Sequence, residues 1–255
     1  MWFKKMPLSK TWIVPFFSVY FGISFAGLFY VFLNGSDSGI YSGRQDLGTA
    51  VLNAFIPYGD QTTGRVLLGS YFGSIFGIYI ATLLLRKRKE LFPELLNISS
   101  ISISLLYFVW RTFGCARSGC CFGRPTSLPW GVTFPKSDSE TKAYMVLKNI
   151  SPAFVEADKT VPLVPTQMIS GIGDILIFIF LLTLYLKKKF NYPYFYLFAF
   201  SFLYGLGRFT VEFFRIDPRE MWGALSMSQY ISLGLVLVSL YYFIINRKEI
   251  FGAKH

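Results

Sequence analysis

In the stretch "FLYGLGRFTVEFFR", Tyr204, Arg208, Glu212 and Arg215 follow one another at intervals of four, four and three residues. That spacing sets them in one stripe on one face of a helix. The segment around them is apolar, and an ionisable group at membrane depth is costly enough to mark a functional site. Two arginines against one glutamate leave a surplus positive charge, which suits an anionic phosphate that a guanidinium grips with two N–H groups. The plainer reading is a neutralised packing face, with Glu212 paired to Arg208 and Arg215 through helical spacing.

A second cationic cluster lies at the end of another apolar run, where Arg111 and Arg117 lead into "RSGCCFGRPT" (Arg117 to Thr126). Proline favours an extended residue before it and glycine permits a turn, so "GRPT" is expected to swing the chain into a lid, with Arg117 on its rim. Cys115, Cys120 and Cys121 have no C-x-x-C spacing, and the one histidine is His255, so zinc lacks the usual partners. The thiols are expected to pack as small apolar groups, with a disulfide to Cys115 as the alternative in an oxidising compartment.

The elements that must carry these residues follow from composition. Of 255 residues, 53% are hydrophobic and 15% charged, more apolar than a soluble core requires. About 20 residues of helix cross a bilayer, and six runs of that order occur: Thr11 to Leu33, Val66 to Leu85, Leu95 to Ala116, Thr166 to Leu186, Tyr192 to Phe214 and Leu225 to Ile245. Val51 to Tyr58 is too short to span and reads as a re-entrant or interfacial piece. The first run, of about 23 residues, exceeds the h-region of a cleaved signal peptide and no A-x-A-like site follows it, so it is taken as a span. In the second, Gly69, Gly73 and Gly77 form a small-residue face for close helix packing.

The net charge of +11 is distributed in clusters: Lys4, Lys5 and Lys10, then "RKRKE" from Arg86, "KKK" from Lys187 and "NRKE" from Asn246. All fall on one side if six helices alternate, which puts both termini in the cytoplasm and the Gly123 to Pro165 segment, with "KSDSETK", outside. Topology thus accounts for the basic charge, and no nucleic-acid partner is expected. The expected fold is an all-α polytopic membrane helix bundle of six transmembrane helices, a seventh being the alternative. It forms a single integral membrane domain over residues 1–255, with 123–165 as a small extracytoplasmic lid or head.

These motifs resemble the bacterial prolipoprotein diacylglyceryl transferases, more closely their divergent, cysteine-containing relatives. "YGLGRFTVEFFR" is similar to the family's Tyr-Gly-x-x-Arg-Phe-x-x-Glu-Phe-x-Arg helix, matched at Tyr204, Gly205, Arg208, Phe209, Glu212, Phe213 and Arg215. "LSMSQY" resembles its Ser-x-Gly-Gln element through Ser226 and Gln229, "GRPTSLPWGVTFP" the loop after its arginine motif, and "PTQ" (Pro165 to Gln167) its His-Pro-Thr-Gln. The likeness covers about residues 65 to 245. The chain departs from the pattern where Phe72, beside Tyr71, stands in place of the histidine of His-Gly-Gly, where Val164 replaces the histidine of His-Pro-Thr-Gln, and where "GCARSGCCFG" replaces Gly-Asn-Phe-x-Asn. Arg111 and Arg117 both remain candidates for the family arginine. The family usually has seven spans, and a lost N-terminal helix reconciles that count.

The resemblance implies transfer of a diacylglyceryl group from phosphatidylglycerol to the lipobox cysteine in the signal-peptide region of a prolipoprotein. No cofactor or metal is implied. The site would face the extracytoplasmic leaflet of the bacterial inner membrane. It assigns catalytic roles to Arg208, Tyr204, Glu212, Arg117 and Tyr71, and substrate binding to Arg111, Arg215, Gln167, Gln229 and Arg124. With no histidine as base, thiol activation rests on Glu212, on Tyr71 or on the positive field. A relative that binds lipid or protein without catalysis is the second reading. A small transporter is disfavoured, because no inverted repeat or pair of broken helices is visible.

Overall fold

The computed structural model describes residues 12–34, 47–55, 67–86, 88–136, 141–190, 192–216 and 221–252. Lys4, Lys5, Lys10, Lys87, His255 and the middle of "KSDSETK" (137–140) lie outside the described residues. The chain divides into two compact units, Met1–Ser100 and Ile101–His255.

In the first unit, α1 (Ile13–Asn34), the short α2 (Leu47–Phe55) and α3 (Leu67–Leu84) are followed by the start of α4 (Arg88–Val109). The expected glycine face of α3 does pack. A Cβ on Gly69, Gly73 or Gly77 would run into the carbonyl oxygens of Phe25, Phe21 and Phe17 on α1, and Ser74 Oγ donates to Ser18 O at 3.3 Å nearby. The short apolar piece expected at Val51 to Tyr58 belongs to α2 as far as Phe55, and 56–58 lie outside the described residues.

In the second unit, α4 continues as a π-helical turn, Trp110–Cys115, and closes with Ala116–Ser118. Next comes the segment expected as a lid. It contains α5 (Lys142–Ile150) and a 3₁₀ turn at Pro152–Phe154. Isolated antiparallel bridges join Pro125 and Val132 to Leu163, and Pro135 to Lys159. Phe122, Phe134, Ala143, Val146, Leu147 and Leu163 form its buried core, so the segment is a packed head. Helices α6 (Thr166–Leu186) and α7 (Phe195–Glu212) follow, then a hairpin of β1 (Met221–Trp222) and β2 (Leu225–Ser226), α8 (Met227–Ile245) and α9 (Arg247–Gly252). Helix α7 packs against both α6 and α8.

Among the described residues, five helices are long and apolar enough to cross a membrane: Ile13–Val31, Leu67–Leu84, Leu91–Ser118, Thr166–Leu186 and Met227–Ile245. The fifth expected span is absent from that set although α7 forms, because Arg208, Glu212 and its small and hydroxyl residues lower the mean hydropathy of its 18 residues. The sixth starts at Met227 because Leu225 and Ser226 are spent on the hairpin. Ile172, Leu176 and Ile179 on α6 and Leu237, Tyr241 and Ile244 on α8 are exposed, as a lipid-facing surface requires. The fold is an all-α polytopic membrane bundle.

Candidate functional site

The site is built where α4, α6, α7 and α8 present their polar residues inside the second unit. On α7 the expected stripe faces inward: Tyr204 is 4% exposed and Glu212 1%. Glu212 is the hub. Its Oε2 lies 2.9 Å from Arg208 Nη1 and accepts from Arg215 Nη1 at 3.3 Å, while its Oε1 accepts from Ser226 Oγ at 2.9 Å. Both oxygens are thereby committed, and two guanidiniums share one carboxylate.

Ser226 does double duty as the N-cap of α8. Its Oγ accepts from Gln229 N at 3.3 Å, and Gln229 Oε1 accepts from Ser226 N at 2.9 Å, the reciprocal pair of a capping box. This fixes the Gln229 side chain by its oxygen and leaves its amide nitrogen Nε2 buried with no hydrogen-bond partner. Arg208 Nη1 is ion-paired with Glu212 Oε2, and Arg208 Nη2 donates to Ser228 Oγ at 3.3 Å. Each buried donor without an acceptor costs about 1–3 kcal/mol, more when charged. The free Gln229 donor beside two arginines that share one carboxylate is an arrangement that could hold an anion.

A second network lies one turn away along α7. Arg111 Nε donates to Asp174 Oδ2 at 2.8 Å and Arg111 Nη2 to Tyr204 Oη at 3.3 Å, with Arg111 and Asp174 only 4% and 3% exposed. The π-helical turn sets Arg111 there: Ala116 N–H donates to Arg111 O, the i to i+5 pattern that a local widening of the helix produces. Helix α6 fits closely against it, since a Cβ on Gly171 would come within 3.1 Å of Thr112 Oγ1. Tyr204 is held between aromatic rings, Tyr107 and Phe200, each at 5.3 Å between centroids.

The two candidate arginines therefore separate. Arg111 is buried in the network, whereas Arg117 is exposed. Arg124 is also exposed, and its backbone does the work: its N–H donates to Phe214 O at 2.9 Å and its carbonyl accepts from Val164 N at 2.9 Å. Gly123 next to it sits so close to Val164 O and Phe214 O that a Cβ would meet them at 2.5 and 3.0 Å. The "GRPT" stretch thus ties the head to the end of α7. Gln167 is committed to the same loop, donating through Nε2 to Cys120 O at 2.7 Å. Tyr71 belongs to the first unit, where it is buried and its ring lies 5.5 Å from that of Phe72.

Asp174, Ser226 as a partner of Glu212, and Ser228 were not anticipated from the sequence as binding groups. Asp174 had a signal: it is the one acidic residue inside the apolar run of α6, and the rule that drew attention to Arg208 applies to it equally. Ser228 had none, because a serine in a membrane helix usually bonds its own backbone, as Ser201 and Ser239 do with the carbonyls four residues earlier.

The fold and site define a multi-pass membrane protein with a buried, arginine-rich polar centre. The family model for Prolipoprotein diacylglyceryl transferase matches residues 5–245. The chain is 33% identical over 188 residues to the "Phosphatidylglycerol--prolipoprotein diacylglyceryl transferase" of Clostridium tetani (strain Massachusetts / E88), a match covering 74% of this chain and 66% of that relative. It is 31% identical over 215 residues to "Phosphatidylglycerol--prolipoprotein diacylglyceryl transferase 2" of Clostridium perfringens (strain 13 / Type A), covering 82% and 75%. A relative of that name from Wolbachia pipientis wMel is 25% identical over 178 residues, covering 67% and 59%. The chain belongs to the prolipoprotein diacylglyceryl transferase family.

Proposed function

We propose that the protein transfers a diacylglyceryl group from phosphatidylglycerol to the lipobox cysteine in the signal-peptide region of a prolipoprotein, at the extracytoplasmic leaflet of the bacterial inner membrane. The observation that carries this reading is the buried Gln229 Nε2, which has no hydrogen-bond partner, beside a network where Arg208 and Arg215 share the one carboxylate of Glu212. Family membership supplies the reaction.

The lipobox sulfur attacks the glycerol carbon next to the phosphate, a C–S bond forms, and the C–O bond breaks. Its electron pair leaves on the phosphate oxygen, and the thiol proton passes to water or to the glycerol phosphate released. Charge grows on the departing phosphate, so donors aimed at that oxygen stabilise the transition state more than the bound lipid. Arg208 and Gln229 fill that role. Glu212, with Ser226 and Arg215, holds Arg208 in place, and both of its oxygens are already engaged. Thiol activation therefore falls to the positive field of the arginines, which favours the thiolate. Arg111, oriented by Asp174, places the Tyr204 hydroxyl toward the lipid. Residues 123–165 act as the extracytoplasmic lid of a single membrane domain, with Arg117 and Arg124 at its exposed rim.

Transfer of radiolabelled diacylglyceryl from phosphatidylglycerol to a lipobox peptide by the purified protein tests the reading. Labelled thioether product, absent when the peptide cysteine is serine, supports it. Binding of phosphatidylglycerol with no transfer would establish the non-catalytic relative instead.

A further inference from the structure

Helix α4 and the loop after it hold a feature that diacylglyceryl transfer does not use. The Sγ atoms of Cys115, Cys120 and Cys121 all lie within 4.8 Å of one another, and they are the only three cysteines in the chain. All three are free thiols. Convergence on this scale needs backbone to bring it about. Cys115 ends the π-helical turn, Gly119 takes φ +64°, and Cys121 takes φ +58°, a left-handed conformation that a side chain other than glycine adopts at a cost. Gly119 folds the chain back so that Cys120 N donates to Cys115 O at 3.2 Å, and Cys121 turns the chain again after it.

The loop is then fastened from outside: Gln167 Nε2 donates to Cys120 O at 2.7 Å, and Thr166 Oγ1 donates to Cys121 O. Packing of three small apolar groups requires none of this. Outer hydrogen bonds that fix the backbone of ligating residues are what a metal site requires.

We propose that Cys115, Cys120 and Cys121 form a three-thiolate site for a soft, thiophilic metal ion of the Cu(I) class. Metal–sulfur bonds of about 2.3 Å put three ligands about 3.8–4.0 Å apart around a shared ion, so the sulfurs need to close by less than about 1 Å. Among the described residues no histidine or carboxylate joins the group as a fourth ligand, which disfavours tetrahedral zinc and suits a three-coordinate ion with sulfur ligands. Each thiol gives up its proton to solvent as it ligates. Bound metal would staple the end of α4 to the start of α6, through the loop that leads into the head.

The test uses the full chain purified in detergent under anaerobic, reducing conditions, with Cu(I) supplied as its acetonitrile complex and no lipid or peptide substrate. It is therefore independent of whether the protein transfers lipid. After desalting, one copper per chain is expected, with X-ray absorption showing three sulfur neighbours. Cys115→Ser, Cys120→Ser and Cys121→Ser should each weaken retention against a Cu(I) chelator at least tenfold. The wild-type stoichiometry stands as a readout even if a variant folds poorly. Sub-stoichiometric copper in a protein whose three thiols all react with Ellman's reagent after denaturation would overturn the proposal. Isolation of the chain with two of the thiols already joined as a disulfide, or undiminished copper in the variant lacking all three, would also overturn it.

Discussion

Arg111 and Asp174 form an ion pair that is almost fully buried, and breaking such a pair from one side leaves a charge with no compensation, at about 3–5 kcal/mol. Asp174→Asn should therefore lower the thermal midpoint of the detergent-solubilised protein sharply, while Arg111→Met combined with Asp174→Leu should recover most of the loss. Losses that simply add in the double variant would show that the two residues do not depend on each other. The sequence exposed one half of this pair. Arg111 stood out as a cation at the end of an apolar run, but Arg117 stood out equally, and nothing in the spacing told a buried arginine from an exposed one. The distinction arises from the π-helical turn, whose one-residue widening rotates Arg111 and Cys115 inward. Such a turn has no signature in hydrophobic periodicity. Glu212 was better determined, since Arg208 lies four residues before it on the same helix and Arg215 three residues after it, just past the helix end.

Among the elements, the α1–α3 contact rests on the row Gly69, Gly73 and Gly77, where a Cβ would strike the backbone of α1. Backbone cannot yield as a flexible side chain does, so Gly73→Val should separate the helices and lower both membrane-fraction abundance and the thermal midpoint. Gly234→Ala on α8 serves as the contrast. Open space surrounds its position, and alanine gains up to about 1 kcal/mol of helix propensity. Equal midpoints for Gly73→Val and wild type would remove the glycine row from the account. This contact was legible because a four-residue glycine repeat has few other uses in a bilayer. Five of the six expected spans were legible to within a few residues for the same reason, since length and apolarity are set by the hydrocarbon thickness, while the fifth forms a helix too polar to join them. The head was less so. Its core joins Phe122 and Phe134 to Leu147 and Leu163 across long separations in sequence, and short bridges leave no alternating pattern to read.

At the scale of the whole molecule, the charge clusters predict that the head and the loop after α6 lie on opposite faces of the membrane. Ser127→Cys, exposed in the head, should react with a membrane-impermeant maleimide in intact cells above the background of the native cysteines. Lys187→Cys, exposed after α6, should react only after lysis. Reaction of both before lysis, or of neither, would contradict the six-helix alternation. The family could be read from the sequence because the α7 motif is specific, while the absence of the family histidines left the chemistry dependent on what the arginines can do alone. That dependence makes Arg208 the point on which the account turns. Lysine keeps the charge but loses the planar fork, and a charged hydrogen bond contributes about 1.5–3 kcal/mol, so Arg208→Lys should slow transfer about ten- to a hundredfold. The decisive measurement is the rate of label transfer from phosphatidylglycerol to a lipobox peptide in wild type and Arg208→Lys, with membrane-fraction abundance followed in the same samples. The account predicts a rate lowered at least tenfold at equal abundance; wild-type activity in Arg208→Lys would contradict it.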